Sequence, residues 1–273
     1  MTLFQAIAIA ILQGVTELFP VSSLGHTVVL PSLLGWGDIQ SRPDFLPLIV
    51  VMHFGTAVAL LIYFRRDWFG FARSLAGRDP ERTAADRRLL LMIAVATIPA
   101  GLVGFFFEAK LRTAFASPLI AASFLVLNGI ILLAGEEIRL RGEQALDRLG
   151  LDGALAIGIA QATALLPGLS RSGMAMIGGV IVGLRYADAA RFSFLIATPI
   201  IFGAALHQIP KLGAAALSPL AFVCFFVSGT CAYASTAVLM RYFAHRDLGA
   251  LNPFAFYCAI FGFVSLWVLV LKG

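Results

Sequence analysis

The chain has 273 residues, of which 60% are hydrophobic and only 13% are charged, and its mean hydropathy is +0.91. A soluble domain carries about 25% charged residues, so this composition excludes a soluble globular protein. The net charge of +5 does not indicate nucleic acid binding, because the basic residues are concentrated in a few short loops. The apolar runs are continuous rather than alternating, so we predict an all-α integral membrane protein and not a β-barrel.

Six charge-free runs are long enough to cross a bilayer, which takes about 20 helical residues. In chain order they are 45–64, 89–107, 115–135, 192–210, 218–240 and 248–271. No basic residue precedes Arg42, so the N-terminus is not expected to be a cleaved signal peptide. Cys224, Cys231 and Cys258 form no C-x-x-C pair, and we expect them to pack in apolar runs rather than bind a metal.

Two further apolar stretches are broken by proline. Residues 3–37 are interrupted at Pro20, and residues 151–184 are interrupted at Pro167. The arm after each break is short: eleven helical residues, as in 24–34, rise only about 16 Å. We therefore predict two re-entrant helical hairpins, which return to the side from which they entered. The alternative is two full spans that are kinked by proline.

The basic residues predict the orientation of the chain. Fourteen of them fall in residues 65–88, 136–150, 185–191 and 241–247, and five fall on the opposite side of the predicted spans. By the positive-inside rule the richer side is cytoplasmic, which places both termini outside. We expect 65–88 to be a solvated connector, with a regulatory or lipid-headgroup role as the alternative.

An internal repeat occurs at an offset of 148 residues. Gln13 corresponds to Gln161, Ser22 to Ser170, Gly25 to Gly173, and Phe54-Gly55 to Phe202-Gly203. The single polytopic domain 1–273 is thus predicted to contain two halves, about 1–148 and 149–273, each with one hairpin and three spans. Because three is an odd number, the second half must be inverted in the membrane relative to the first. The two hairpins would then meet near the midplane.

The first broken stretch carries the motif QGVTELFPVSSLGH, residues 13–26. Glu17 is the only acidic residue among the first 37, and a carboxylate inside an apolar run is costly enough to mark a functional site. Gln13 shares a helix face with it, and the proline at position 20 should end that helix, so that Ser22 and Ser23 turn back toward Glu17. His26 alone would indicate packing, but within this cluster a catalytic role is favoured.

The second broken stretch carries PGLSRSG, which begins at Pro167. Arg171 lies deep within this stretch, between Ser170 and Ser172. An arginine between two serines at a helix start offers a planar guanidinium, hydroxyls and free backbone amides to a phosphate. The alternative is an ion pair with Glu17 that only locks the two halves together.

The two motifs resemble those of the undecaprenyl pyrophosphate phosphatases of the BacA type. The first family signature, [E/Q]-G-x-T-E-(F/L)-(L/F)-P-V-S-S-x-G-H, is present from Gln13 to His26, and the second, P-G-x-S-R-S-G-x-T, is present from Pro167 to Gly173. HFGT at 53–56, YFRRDW at 63–68, TIP at 97–99 and FSFL at 192–195 are similar to further family segments, so the resemblance covers nearly the whole chain. The sequence departs from the family at Ala175, where threonine is usual, and at Gln13, where glutamate is commoner.

The resemblance implies a hydrolase of the bacterial plasma membrane whose active site faces the exterior. It would remove the terminal phosphate from undecaprenyl (C55 polyprenyl) diphosphate and so recycle the monophosphate carrier lipid for cell-wall synthesis. Its partners would be this lipid substrate and membrane lipids, with no nucleic acid, and a homodimer is left open. A divalent cation, Mg²⁺ or Ca²⁺, would assist the activity.

Roles for individual residues follow from the motifs and the resemblance together. The diphosphate would be held by Ser22, Gly168, Ser170, Arg171, Ser172 and Gly173. Glu17, with Gln13 beside it, would orient the cation, and Ser23 or His26 would attack the terminal phosphorus while the other assists. His53 is expected to pack or to support the site from outside. The alternative function is a transporter or flippase of polyprenyl phosphate lipids, because secondary transporters also use inverted repeats of broken helices.

Overall fold

The computed structural model describes residues 1–37, 39–76, 80–114, 117–138, 144–246 and 248–272. In this part of the chain the secondary structure is helical apart from one isolated bridge between Gln144 and Leu184. The α-helices are α1 (Leu3–Thr16), α2 (Ser23–Leu33), α3 (Phe45–Tyr63), α4 (Arg65–Leu75), α5 (Pro80–Ala114), α6 (Pro118–Ile138), α7 (Leu151–Thr163), α8 (Arg171–Ile181), α9 (Tyr186–Leu212), α10 (Pro219–Ala244) and α11 (Asn252–Lys272).

The six predicted spans are confirmed as helices that are long and apolar enough to cross a membrane. They are Phe45–Tyr63, Ala84–Phe106, Pro118–Ile138, Tyr186–Leu212, Pro219–Ala244 and Asn252–Lys272. The observed helices start or end several residues away from the predicted bounds: α5 begins at Pro80 rather than at 89, and α9 begins at Tyr186 rather than at 192. The chain is therefore an all-α, multi-pass membrane protein.

The prediction of a solvated connector over 65–88 is wrong in part, because much of this segment is helical. Residues Arg65–Leu75 form α4, and α5 begins at Pro80. Trp68, Phe71 and Ser74 recur at every third position and lie on one face of α4, where Phe71 and Ser74 are buried. The abundance of arginine suggested a loop, but the spacing of these three residues is that of an amphipathic helix.

Each broken stretch forms two helices that are joined by a turn. The first turn lies between Thr16 and Ser23 and contains Pro20, and the second lies between α7 and α8 and contains Pro167. Proline ends a helix because it has no N–H to donate and its ring crowds the preceding turn. The predicted breaks are thus confirmed, and α2 and α8 have eleven residues each.

Close helix packing brings the first half of the chain against α10. Both α1 and α3 pack on α10. A Cβ atom at Gly14 would collide with the carbonyl oxygen of Ser228, and one at Gly55 would collide with that of Phe225. Membrane helices use small residues in this way because lipid supplies little hydrophobic drive for association, so that close van der Waals contact must replace it. The packing holds α1 and α3 side by side, and these helices carry much of the site described below.

A second buried carboxylate, Glu136, lies near the end of α6. It accepts hydrogen bonds from the Tyr186 hydroxyl, from the Gly249 N–H at 2.9 Å and from the Leu251 N–H at 3.3 Å. These bonds connect the end of α6 to the start of α9 and to the loop before α11. Glu136 therefore stabilises the packing of three segments at this end of the helices.

Candidate active site

The Glu17 carboxylate is the centre of the site and is contacted by four side chains. Its Oε2 atom accepts hydrogen bonds from the Gln13 amide at 3.0 Å and from the Ser23 hydroxyl. Its Oε1 atom pairs with the Arg171 guanidinium. The fourth side chain is His53, whose Nε2 lies 3.3 Å from Oε2. The structure thus brings together residues that are more than 150 positions apart in the chain.

The turn after α1 explains how Ser23 reaches Glu17. Glu17 caps the end of α1, and its N–H still donates to the Gln13 carbonyl at 2.9 Å. Ser22 then adopts φ 68° and ψ 93°, a strained conformation for a residue with a side chain. Its Oγ accepts the Gly25 N–H at 3.2 Å and caps α2. Ser23 is therefore the first residue of α2 and faces back toward Glu17.

His53 contacts Glu17 directly, whereas the sequence analysis expected it to pack or to support the site from outside. Its Nδ1 lies 2.8 Å from the carbonyl oxygen of Ile49. A carbonyl oxygen can only accept, so Nδ1 carries a hydrogen, and a neutral ring would turn a lone pair toward the carboxylate. A proton on Nε2, shared with the carboxylate, would make this contact an ion pair. Like Glu17, His53 could have been selected from the sequence, because a titratable side chain within a predicted span is costly.

Two buried polar atoms in the site have no hydrogen-bond partner among the described residues. One is the donor Nε of Arg171, and the other is the acceptor Oε1 of Gln13. Buried polar atoms in folded proteins are almost always paired, so unpaired ones need an explanation. Here they supply a donor for an anion and an oxygen for a cation, on the two sides of Glu17. This arrangement is suited to an anionic ligand that binds together with a cation.

Ser170 and Ser172 connect α8 to the first turn. The Ser170 Oγ accepts the Gly173 N–H at 3.1 Å and so caps α8. The Ser172 hydroxyl donates to the Phe19 carbonyl at 3.0 Å and lies 3.1 Å from the Ser170 Oγ. In this structure both predicted phosphate ligands are thus bonded within the protein, next to Arg171.

Gly168 and Gly173, which were also predicted to bind phosphate, lie where the two turns approach each other. Gly168 has a φ of 101°, and a Cβ there would collide with the carbonyl oxygen of Ala121. A Cβ at Gly173 would come within 3.2 Å of the Pro20 Cβ. Both glycines therefore allow a close backbone approach that a side chain would obstruct.

Asn128 of α6 is a residue of the site that the sequence analysis missed. Its side chain is completely buried, and its amide donates to the Pro20 carbonyl at 3.1 Å while its Oδ1 accepts the Ser170 N–H at 2.8 Å. One side chain thus holds the two turns together. A polar amide in a predicted span was the available signal.

His26 of α2 packs against α11. Its Nδ1 donates to the Ser22 carbonyl at 2.7 Å, so its Nε2 accepts from the Tyr257 hydroxyl at 2.8 Å. The imidazole is fully buried and lies parallel to the rings of Tyr257 and Phe261, with centroids 5.6 and 4.8 Å away. Among the described residues, the His26 side chain makes its hydrogen bonds with Ser22 and Tyr257 and not with Glu17. The structure therefore joins Gln13, Glu17 and Ser23 by hydrogen bonds and bonds His26 to Ser22 and Tyr257.

The donors around Glu17 fit a divalent cation that is bound together with a phosphate. In the described part of the chain, no group of three or more His, Cys, Asp or Glu side chains is arranged to hold a metal. The Oε1 of Gln13 is an unpaired oxygen donor, whereas the Glu17 carboxylate would have to give up part of its contacts with side chains to bind a cation. Mg²⁺ is often bound through one or two carboxylates plus substrate phosphates and water, so this donor set is sufficient only with the substrate present.

The fold and the site define a multi-pass membrane protein with a buried carboxylate, serine and arginine where two broken helical stretches meet. Residues 6–264 match the family described as bacitracin resistance protein BacA, and the chain belongs to this family. The match confirms the resemblance that the two motifs indicated.

Several relatives are similar over nearly their full length. The chain is 50% identical to an undecaprenyl-diphosphatase of Acidiphilium cryptum, with 97% of this chain and 98% of the relative covered. It is 47% identical to an undecaprenyl-diphosphatase 2 of Chromobacterium violaceum, with the same coverage. An undecaprenyl-diphosphatase 2 of Oenococcus oeni is 40% identical, with 96% of this chain and 97% of the relative covered.

Proposed function

We propose that this protein is an undecaprenyl-diphosphatase of the bacterial plasma membrane. It removes the terminal phosphate from undecaprenyl diphosphate and yields the monophosphate carrier lipid for cell-wall synthesis. The observation that carries this proposal is the contact of Ser23 and Arg171 with one buried carboxylate, Glu17. A nucleophile and a phosphate-binding guanidinium group are thereby both within bonding distance of one base. The names of relatives that are 40–50% identical support the same activity.

Ser23 is the nucleophile in this mechanism, and Glu17 is its base. The Ser23 hydroxyl already donates to Glu17 Oε2, so the carboxylate takes that proton as Oγ attacks the terminal phosphorus. The bond from this phosphorus to the bridging oxygen breaks, and undecaprenyl phosphate leaves. Water then attacks the phosphoserine, the bond from phosphorus to Ser23 Oγ breaks, and Oγ recovers the proton that Glu17 had taken. The oxygen of the water leaves as part of inorganic phosphate, and the excess proton passes to solvent. His26 is less suited to attack, because its Nε2 is bonded to Tyr257.

Arg171 neutralises the charge of the transferred phosphoryl group. Its Nε has no partner among the described residues, so it can donate to a phosphate oxygen without breaking an existing bond. The hydroxyls of Ser170 and Ser172 donate to the Phe19 carbonyl in this structure, so they would have to turn from it to donate to a phosphate. The Ser22 hydroxyl and the backbone N–H groups at the starts of α2 and α8 that are not bonded to a cap would contribute further donors. Positioning and charge neutralisation are the main demands of phosphoryl transfer, and this set of donors supplies both.

A divalent cation, Mg²⁺ or Ca²⁺, would be held by Glu17 and by the Oε1 of Gln13. When bound, it would offset the negative charge of the diphosphate. In its absence the Glu17 carboxylate is balanced by Arg171 and contacts His53.

The two halves, about 1–148 and 149–273, are proposed to form an inverted repeat whose hairpins re-enter the membrane. A Cβ at Gly25 would come within 3.1 Å of the Gly168 Cα, and one at Gly173 within 3.2 Å of the Pro20 Cβ. The offset of 148 residues converts one contact into the other, because it relates Gly25 to Gly173 and Pro20 to Gly168. Such reciprocal contacts are typical of a two-fold relationship. The α1 helix has 14 residues and rises about 21 Å, less than the hydrocarbon thickness of about 30 Å.

We propose that both termini and the opening of the site face the exterior, as the distribution of basic residues indicates. The carrier lipid is the principal partner, together with membrane lipids. All residues of the proposed mechanism belong to one chain, so a homodimer would not be required for catalysis.

The test uses protein purified in detergent, where no membrane sides exist and transport has no meaning. Undecaprenyl diphosphate should be hydrolysed catalytically in a reaction that depends on a divalent cation, and both Glu17→Gln and Ser23→Ala should abolish the release of phosphate. If the folded protein binds the lipid but releases no phosphate with any divalent cation, the hydrolase proposal fails and lipid transport becomes the better account.

A further inference from the structure

The α4 helix has an outward face that combines arginines with apolar side chains. We call this surface the α4 outer face; it consists of Arg65, Arg66, Phe69 and Arg73, all exposed. Phe69 is 63% exposed, and Leu75, the last residue of α4, is 69% exposed beside this face. A short helix with cations and large apolar groups on its free side is typical of segments that lie in a membrane interface.

The opposite side of α4 is firmly attached to the protein. Phe71 and Ser74 are buried, and the Ser74 carbonyl accepts a hydrogen bond from Arg87 Nε of α5 at 2.9 Å. Asp67 pairs with Arg191 of α9. The α4 outer face is therefore held in a fixed orientation, so its exposure is not the result of a detached helix.

The position of α4 in the chain places it at the membrane surface. It begins two residues after Tyr63, the last residue of the span α3. It lies on the side where most basic loops are found, which the proposed topology makes cytoplasmic. In the described part of the chain, Arg65, Arg66 and Arg73 form no ion pair with a carboxylate, and Arg65 donates only to the Ile62 carbonyl at 3.3 Å.

We propose that the α4 outer face binds the headgroups of anionic phospholipids in the cytoplasmic leaflet. The unpaired guanidinium groups would donate to lipid phosphates, and Phe69 and Leu75 would insert between the headgroups. Charge alone would also suit an acidic peptide. Immediate continuity with a membrane span and two exposed apolar side chains favour lipid. The inference is independent of the hydrolase proposal, because it concerns no residue of the active site.

The chain contains a fluorescent reporter for this surface, because Trp68 lies on α4. The protein has two other tryptophans, Trp36 and Trp267. After Trp36→Phe and Trp267→Phe, energy transfer from Trp68 is measured in phosphatidylcholine vesicles that contain a small fraction of pyrene-labelled lipid. Pyrene-labelled phosphatidylglycerol should accept more energy than pyrene-labelled phosphatidylcholine. With Arg66→Gln and Arg73→Gln added, the two labelled lipids should give equal transfer.

The matched control removes two exposed arginines elsewhere on the same side, with Arg148→Gln and Arg241→Gln. This variant should keep the preference for phosphatidylglycerol. An equal loss in the control would mean that overall charge, and not the α4 outer face, attracts the lipid, and the proposal would be wrong. The proposal would also be wrong if the protein in which Arg66 and Arg73 are intact shows no preference for phosphatidylglycerol. Size-exclusion chromatography identifies variants that do not fold. If the variant with Arg66→Gln and Arg73→Gln does not fold, Arg66→Lys and Arg73→Lys replace it, and this charge-conserving variant should retain the preference for phosphatidylglycerol.

Discussion

His53 and Glu17 form a direct contact between α3 and the end of α1, with His53 Nε2 3.3 Å from Glu17 Oε2. The histidine is itself held, since its other ring nitrogen donates to the Ile49 carbonyl at 2.8 Å. On the opposite side of the carboxylate, Arg171 binds Oε1. Glu17 is therefore held from two directions, which leaves its Oε2 in position to accept the proton of Ser23.

Replacing His53 should separate hydrogen bonding from packing. In His53→Gln a side-chain amide can still donate to Glu17, whereas in His53→Leu it cannot. We expect His53→Leu to lower kcat roughly 10- to 100-fold, or about 1.4–2.8 kcal/mol, with little change in KM. His53→Gln should retain most of the wild-type kcat. Steady-state phosphate release measures both constants, and equal activity of the two variants would assign His53 to packing.

The role of Arg171 is tested by a substitution that keeps its charge. Lysine lacks the planar group with several donors, so Arg171→Lys should lose most of the phosphatase activity. The protein should still insert and elute as a folded species, because a cation remains beside Glu17. A turnover rate close to that of the wild type would mean that Arg171 only locks the two halves of the chain together.

The choice of Ser23 as nucleophile predicts a covalent intermediate. Acid quenching during turnover of a substrate labelled in the terminal phosphate should leave a labelled phosphoserine at residue 23. The label should be absent in Ser23→Ala, while Tyr257→Phe, which removes the partner of His26, should still become labelled. Labelled histidine in the wild type, sought after a parallel quench at alkaline pH because phosphohistidine is lost in acid, would instead make His26 the nucleophile.

The topology can be tested with single cysteines at Pro80 and Lys272. After replacement of the three native cysteines, Pro80→Cys should react with an impermeant thiol reagent only from the cytoplasmic side, and Lys272→Cys only from outside. The α5 and α11 helices should tolerate these changes at their ends. Labelling of both positions from one side would contradict the inverted repeat.

Glu136 should be important for stability and not for chemistry. In Glu136→Leu the Tyr186 hydroxyl and the N–H groups of Gly249 and Leu251 lose their acceptor, which should cost about 2–5 kcal/mol of unfolding free energy. The measurement is Tm in detergent. Activity per folded molecule should change little, and an unchanged Tm would show that these groups find other partners.

The sequence by itself determined the class of protein, the six spans, the two breaks and most members of the site. Spans could be read from the chain because lipid leaves no alternative to long apolar helices. Glu17 and Arg171 were identified because an isolated charge in an apolar run is costly wherever the chain folds. The family followed from two motifs, each continuous in sequence.

Only the tertiary structure decided which side chains meet. His53 and Asn128 can be recognised in the sequence as polar residues of spans, but their partners are decided only when α3 lies beside α1 and α6 lies beside both turns. His26, by contrast, belongs to the first motif but faces Tyr257, because three positions along a helix do not fix which neighbour a side chain will bond. Contacts across 40 to 230 residues depend on how helices pack, and local sequence carries no record of that packing.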